Sequence, residues 1–329
     1  MELSSIGLGT YLGAGDDATD EAYLQAGRAF FDCGGNVFDT AANYRGGRSE
    51  RALGRVFTEL PRDSFFASTK AGYLPMGDGR TEESPRTWFQ RVLEGPGVLS
   101  ADEVVDGCHC LTPRYLKHQL GLSREALGLE RIDLFHLHNP EQQRPLLGPV
   151  RFREVLQAAF EACEGFRAEG WIEAYGCATW NGFRVAPEAP EHLSLEELLA
   201  LAEKAGGTQH GFRWVQLPLN LAMPEAFLMP SQVFGGKRMP LLEAAREAGV
   251  QVQTSASIMQ ARILGQIEPE VRRKLGVTSP AHAALQFTRS CPGVTVALCG
   301  MASKAHVDEN MKLAQQPKDE EETLRALYC

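Results

Sequence analysis

The sequence predicts a single-domain α/β protein over residues 1–329, a (β/α)8 barrel of the TIM-barrel type, and two observations predict it. Eight short apolar runs of β type recur along the chain, at 6–10, 36–39, 65–70, 132–138, 173–178, 213–217, 250–254 and 294–298. Amphipathic helical patterns lie between most of them, at 21–33, 49–60, 114–127, 152–169, 195–205, 241–248 and 281–290. Strands separated by helices pair in parallel through crossovers. Nearly continuous apolar runs suit strands covered on both faces, and eight of them favour a closed barrel over an open sheet.

Punctuation supports several of these elements. Thr112-Pro113 reads as a helix cap with Pro at the first helical position. Gly34 and Gly249 fall where helices should close. One segment, 74–107, departs from the alternation. It holds Pro75, Gly77, Gly79, Pro85, Gly95, Pro96 and Gly97, with Trp88, Phe89, Val92 and Leu93 on a short amphipathic piece. In a barrel this insertion follows the third strand at the catalytic rim, where long loops shape pockets; a packing insertion without catalytic part is the alternative.

A doubly wound dinucleotide-binding sheet competes with the barrel. Gly7-Leu8-Gly9-Thr10-Tyr11-Leu12-Gly13 resembles its glycine-rich loop, and Asp39 ends a β run where a ribose-binding acid would sit. In that fold the glycines open a helix directly onto the phosphates. Here Ala14-Gly15-Asp16-Asp17 intervenes, the helical pattern starts near Asp20, and two carboxylates would repel a phosphate. The context argues for the barrel.

Composition narrows the classes of function. The chain is 43% hydrophobic and 23% charged, with a net charge of −9, ordinary for a globular protein. No basic stripe is present, so neither nucleic acid nor an anionic membrane surface is an expected partner. The start, Met1-Glu2-Leu3-Ser4-Ser5-Ile6-Gly7, lacks the basic and apolar regions of a signal peptide, and no apolar run is long enough to cross a bilayer. With eight cysteines scattered through the chain, the expectation is a cytoplasmic protein with reduced thiols. Cys108-His109-Cys110 is the one cluster. It lacks a second ligand pair, whereas zinc wants four ligands or three and a water, so no metal is expected.

Four polar residues stand at strand ends or in the turn just beyond: Asp39, Tyr44, Lys70 and His138. Such positions point to one rim in a parallel barrel. Singly, each has a structural explanation, as turn cap, rim aromatic, snorkelling lysine or satisfied core histidine. Together they form a proton-transfer set. Reducing a carbonyl needs hydride at carbon and a proton at oxygen, and a phenol of pKa about 10 is a weak acid for that purpose. A lysine ammonium about 4 Å away favours the phenolate by roughly 4 kcal/mol at an effective dielectric near 20, before desolvation opposes it. An aspartate keeps the lysine charged, and a neutral histidine donates to the carbonyl oxygen and orients it.

These residues carry a family resemblance. Val37-Phe38-Asp39-Thr40-Ala41-Ala42-Asn43-Tyr44, with Gly47-Arg48-Ser49-Glu50 to Gly54 following, resembles the aldo-keto reductase stretch D-T-A-x-x-Y-G-x-S-E-x-x-x-G. Ser68-Thr69-Lys70 and the run from Ile132 to Asn139-Pro140 resemble its lysine and histidine motifs, the latter selecting His138 over His136. Gln286-Phe287, Pro292-Gly293-Val294, Gly300-Met301 and Glu309-Asn310 resemble its C-terminal block. The resemblance implies an NAD(P)H-dependent carbonyl oxidoreductase with Tyr44 as general acid/base, NADP first and NAD second as cofactor, and a small or medium carbonyl substrate. A cofactor-binding regulatory barrel with little turnover is the alternative.

By the same resemblance, the cofactor contacts are Gly9, Thr10, Thr179, Gln216, Ser255, Gly300, Ser303, Lys304, His306, Glu309 and Asn310. The pattern weakens at three of these places. Gly176-Cys177-Ala178-Thr179 stands where the family usually has Ser-Asn; Gln253 to Ser257 supplies no ring to stack on nicotinamide; His306 replaces a common arginine, with Lys304 as substitute charge. Trp88, Trp180, Phe183, Phe227 and Phe234 are candidates to line a pocket or to pack. The sequence names neither the substrate nor the oligomeric state.

Overall fold

The computed structural model describes residues 1–75 and 84–328. Parallel strands form one closed ring. In chain order, β1 is Ile6–Gly9, β2 Val37–Asp39, β3 Phe66–Ala71, β4 Ile132–His138, β5 Ile172–Ala178 and β6 Phe212–Pro218. A short antiparallel hairpin, β7 (Gln232–Phe234) with β8 (Lys237–Met239), lies outside the ring, which β9 (Gln251–Ser255) and β10 (Val294–Gly300) complete. The order around the barrel is β1-β10-β9-β6-β5-β4-β3-β2, with β1 pairing both β2 and β10. Each of the eight apolar runs has become a barrel strand, with ends moved by a residue or two, and the doubly wound alternative is excluded because the sheet closes.

Two helices start more than two residues from where the sequence places them, and the helix expected at 49–60 ends earlier, at Phe57. The first helix, Asp17–Asp32, starts three residues before Asp20, because the Asp16 side chain accepts from Thr19 N and caps it. Asp17 and Asp20 then sit in the first turn, where carboxylates suit the positive end of the helix dipole. The helix expected from 152 is longer, Arg144–Ala168, because a kink at Gly148 (φ 73, ψ 163) joins an extra turn ahead of Pro149. A helix at Lys304–Ala314, which the amphipathic pattern did not reveal, follows β10. No described helix is long and apolar enough to cross a membrane.

The main core lies between the outer faces of the strands and the helices. Inside the ring, the lower layers are apolar: Val37, Val296 and Leu298 in one cluster, Leu134, Ala174 and Trp214 in another. Above them the inward positions turn polar, with Lys70, His136, Gln216 and Gln253 all buried. Gly77 and Gly79 of the insertion lie outside the described residues. Its described part carries a helix at Pro85–Phe89 and buries Leu93 and Leu99 with Leu74, Cys110 and Tyr115 in a small core of its own.

The β5–β6 pairing shifts register between Tyr175 and Gly176. A Cβ at Gly176 would stand 2.0 Å from the Trp214 carbonyl oxygen. Backbone cannot move aside as a flexible side chain can, so Gly176→Ala should lower unfolding free energy by about 3 kcal/mol. Urea denaturation measures this; an unchanged midpoint would contradict the packing described.

Candidate active site

A cavity of about 620 Å³ opens at the C-terminal ends of the strands. Its wall includes Gly9 from β1, Asp39 from β2, His138 from β4, Ala178 from β5, Gln216 from β6, Ser255 from β9 and Gly300 from β10. Tyr44 joins this wall from the turn after β2. Barrel geometry accounts for this convergence, since strand-end residues on the inner face share one rim.

The four residues expected to act together do lie together. Lys70 Nζ is 2.6 Å from Asp39 Oδ2, 2.7 Å from the Thr40 carbonyl oxygen and 3.3 Å from Tyr44 Oη. Asp39 Oδ1 accepts from Ser68 Oγ at 2.7 Å and Gln216 Nε2 at 2.9 Å. Gln216 Nε2 also reaches Gln253 Oε1, which in turn faces His136 Nε2 at 3.2 Å. The Tyr44 and His138 rings meet edge to face, 5.8 Å between centres. His138 lines the cavity, while His136 lies below it in the buried network.

Electrostatics within the set depart from the charge-only expectation at one residue. Burial pushes the Tyr44 phenol above its usual pKa, and Lys70 pulls against that shift without reversing it. The expected acidified phenol is therefore not present in the cavity as it stands, because desolvation outweighs one ammonium. Burial also works against the Lys70 charge, but Asp39 and Tyr44 overcome it and its pKa is raised. His138 is held well below the ordinary histidine value by burial and then by Lys70. It is therefore neutral at physiological pH.

Of the eleven expected cofactor contacts, Gly9, Thr10, Thr179, Gln216, Ser255, Gly300 and His306 line the cavity. Ser303, Lys304, Glu309 and Asn310 do not. Ser303 caps the helix Lys304–Ala314 by accepting from His306 N, and Lys304 turns to Asp308 at 2.7 Å. The Glu309 carbonyl faces His282, and Asn310 is buried with its amide towards Cys299 Sγ. Of the aromatic candidates Trp180 alone lines the cavity; Phe183 and Phe227 are core, Phe234 packs on it, and Trp88 packs on the insertion's small core.

Several wall residues escaped sequence reasoning. Tyr11, Asn43, Tyr73, Asn139 and Cys299 are among them. So is the turn after β9, where Ala256, Gln260 and Ala261 have positive φ of 55°, 55° and 65°. Non-glycine residues take that conformation at a cost of order 1 kcal/mol each, and nothing in their identity signals it. Asn220 Nδ2, donating to the Ala256 carbonyl at 3.0 Å, helps hold the turn.

The residues present suit a dinucleotide cofactor. The volume lies within the range of small-molecule and cofactor sites, roughly 300–1,000 Å³. The wall mixes apolar and aromatic side chains with polar groups such as Thr10, Thr179, Gln216 and Ser255, and two buried polar atoms on it, Asn43 Oδ1 and His138 Nδ1, have no partner among the described residues. A buried polar atom without a partner calls for an explanation, and at a cavity wall a bound ligand or water is one.

Comparison with known proteins agrees with this geometry. The pattern of the Aldo/keto reductase family matches residues 5–198. The chain belongs to the aldo/keto reductase family. It is similar to D-threo-aldose 1-dehydrogenase of a Pseudomonas species, 34% identical over 157 residues, 48% of this chain and 43% of that protein. It is similar also to a putative voltage-gated potassium channel subunit beta of Schizosaccharomyces pombe, 23% identical over 340 residues, covering 96% and 86%. NADH-specific methylglyoxal reductase of Escherichia coli is 28% identical over 207 residues, covering 60% and 54%. The chain thus matches about half the length of the first and third relatives. Among solved structures, an aldo/keto reductase from Klebsiella pneumoniae in complex with NADP and acetate has a TM-score of 0.67 at 20% identity, covering 99% of this chain and 90% of that one. Glycerol dehydrogenase from Gluconobacter oxydans gives 0.67 at 18% identity with coverage of 99% and 90%. At these identities the structural likeness speaks for the fold.

The buried network sets a pH dependence. Burial, and then Lys70, bring His136 down to about 4, whereas the unfolded chain takes up that proton near 6.5. Between these values the unfolded state binds more protons, so stability contributed by neutral His136 is complete above pH 6.5 and is lost as pH falls towards 4. Relative to His136→Gln, the wild type should lose about 1.4 kcal/mol per pH unit in that window. Urea unfolding of both proteins at pH 7, 6 and 5 measures the difference; a constant gap would exclude a neutral buried imidazole.

Proposed function

We propose that this chain is a nicotinamide-dependent carbonyl oxidoreductase in which Tyr44 delivers the proton. The observation that carries the reading is the buried Lys70 ammonium, 2.6 Å from Asp39 and 3.3 Å from the Tyr44 hydroxyl, two groups that share the cavity wall with neutral His138. A bound nicotinamide supplies the hydride. The chain's own residues manage the oxygen end. His138 donates a hydrogen bond that orients the carbonyl, and Tyr44 Oη gives its proton to the carbonyl oxygen. Lys70 then faces a phenolate, which its charge stabilises until solvent returns the proton. With its pKa raised by burial, Tyr44 is protonated at neutral pH, which suits reduction. Alcohol oxidation needs the phenolate and should rise with pH while reduction stays level through neutrality.

Either nicotinamide dinucleotide is compatible with the wall, NADP being the first choice and NAD the second. No lysine or arginine lines the cavity among the described residues, and a 2′-phosphate prefers a guanidinium fork. Fluorescence titration should therefore give NADPH and NADH affinities within about tenfold of each other, since an exposed charge adds on the order of 1 kcal/mol. A hundredfold preference for NADPH would mean that a cation outside the wall, with Lys304 the first to test, clamps the phosphate.

Tyr44→Phe should bind the dinucleotide with unchanged affinity while losing about a thousandfold or more in kcat, the scale of general acid catalysis. Absorbance assays over aldehydes, ketones and sugars measure this. Saturable binding without turnover on any of them would instead favour a regulatory barrel, and turnover unchanged in Tyr44→Phe would assign the proton elsewhere.

A further inference from the structure

His109 neither lines the cavity nor belongs to the Asp39–Lys70 network, yet it is 1% exposed. It comes at the end of the segment that interrupts the barrel's alternation. Its backbone is fixed against the chain leaving β3: Tyr73 and His109 form an antiparallel bridge, Cys110 N donates to the Gly72 carbonyl at 2.8 Å, and Leu74 N to the Cys108 carbonyl at 2.8 Å. From there the side chain crosses to the end of β4. Its Nε2 lies 2.6 Å from the carbonyl oxygen of His138, and its Nδ1 lies 2.8 Å from Gln143 Nε2.

These contacts define one tautomer. A carbonyl oxygen only accepts, so Nε2 carries the hydrogen and donates; Nδ1 then accepts from the Gln143 amide. Burial brings this imidazole down to about 4, so the donor and acceptor ends stay assigned at neutral pH. Room for the contact depends on Gly72, where a Cβ would stand 2.7 Å from both His109 Nε2 and the His138 oxygen. The Tyr73 ring fills the remaining angle, edge-on to His109 at 4.9 Å and to His138 at 5.0 Å.

His138 needs such support. No hydrogen bond reaches either of its ring nitrogens among the described residues, and Nδ1 is buried without a partner. The direction of the ring is therefore inherited from its backbone and from the neighbouring Tyr44 and Tyr73 rings. Among the hydrogen bonds that hold that backbone where the strand ends are Asn139 N to the Ala178 carbonyl at 2.6 Å and His109 to the carbonyl of His138 itself.

We propose that His109, supported by Gln143, is a positioning residue for His138: it grips the carbonyl of that residue and so aims an imidazole that has no hydrogen bond of its own. This deepens the proposed carbonyl oxidoreductase reading and rests on it. Displacing a substrate-orienting group by about 1 Å lowers rates by up to a hundredfold, so the strut should act on turnover more than on cofactor binding.

The test compares His109→Leu with His109→Gln, whose amide N–H can still donate to the carbonyl. His109→Leu should lower kcat by about 10- to 100-fold with the dinucleotide Kd within about twofold, and His109→Gln should recover most of the loss. Gln143→Leu, which leaves the carbonyl contact but frees the ring, should lower kcat in the same direction and by less. A His109→Leu protein with wild-type kcat, or a His109→Gln protein as slow as His109→Leu, overturns the inference. Where His109→Leu does not fold, Gln143→Leu decides: a lowered kcat at unchanged Kd supports the strut and an unchanged kcat overturns it. A wild type that reduces no carbonyl overturns the reading beneath, and the inference with it; an active wild type with indifferent variants overturns the inference alone.

Discussion

A charged ammonium enclosed in a barrel sets the terms for much of this structure. Lys70 is fully buried, and water cannot solvate its nitrogen. Leaving such a charge unpaired costs several kcal/mol, and removing one partner of a buried pair costs about 3–5 kcal/mol. The chain must therefore bring oxygen atoms to it. Asp39 ends β2 within reach, Thr40 turns its carbonyl inward, and Tyr44 presents its hydroxyl. The second oxygen of Asp39 then needs donors of its own, which Ser68 and Gln216 supply. Gln216 passes the requirement to Gln253, and Gln253 to His136. One buried charge thus ties β2, β3, β4, β6 and β9 into a single network beneath the cavity.

The same ammonium acts in two directions at once. On the imidazoles of His136 and His138 its charge adds to burial, and both are kept neutral. On the phenol of Tyr44 its charge opposes burial, and burial prevails. The outcome is a site in which Tyr44 and His138 face the cavity uncharged, while Asp39 on the same wall is paired with the Lys70 ammonium beneath it. On the proposed reading, a carbonyl oxygen entering there meets the Tyr44 and His138 donors, and the nearby Asp39 carboxylate is committed to Lys70, Ser68 and Gln216. Neutral donors held by a rigid scaffold need little reorganisation as charge develops on that oxygen.

Much of the barrel could be read from the chain because its signals are local. Apolar runs such as 132–138 mark strands, and polar residues at their ends, Asp39, Lys70 and His138, mark the rim. Other features are set by contacts distant in sequence, and these left no pattern. Aromatic residues beyond strand ends look alike whether they face a cavity, as Trp180 does, or the core, as Phe183 and Phe227 do. The left-handed turn at Ala256 to Ala261 contains no glycine to announce it. The acidity expected of Tyr44 failed for a related reason: neighbouring charge is legible from motifs, whereas desolvation depends on packing that only the folded chain defines.

The segment after β3 illustrates where irregularity in sequence leads. It breaks the strand–helix alternation, and its described part packs Leu93 and Leu99 against Leu74, Cys110 and Tyr115 away from the main core. A rim loop lacking such a cluster would have little to oppose its conformational entropy. With one, the segment returns against residues 72–74, just beyond β3, and the Tyr115 hydroxyl donates to the Tyr73 carbonyl at 2.7 Å to hold the junction. The small core, the junction and the His109 side chain are therefore one mechanical unit. Its rigidity bears on the end of β4 through neutral contacts, the His109 hydrogen bond to the His138 carbonyl, the Tyr73 ring against His138 and the Tyr73 hydroxyl accepting from Asn139, which bring no second buried charge close to Lys70. An arginine or lysine reaching for the same carbonyl would add a like charge near the ammonium and need a counter-ion in turn. A neutral histidine meets both requirements, donating to the carbonyl at one nitrogen and accepting from Gln143 at the other.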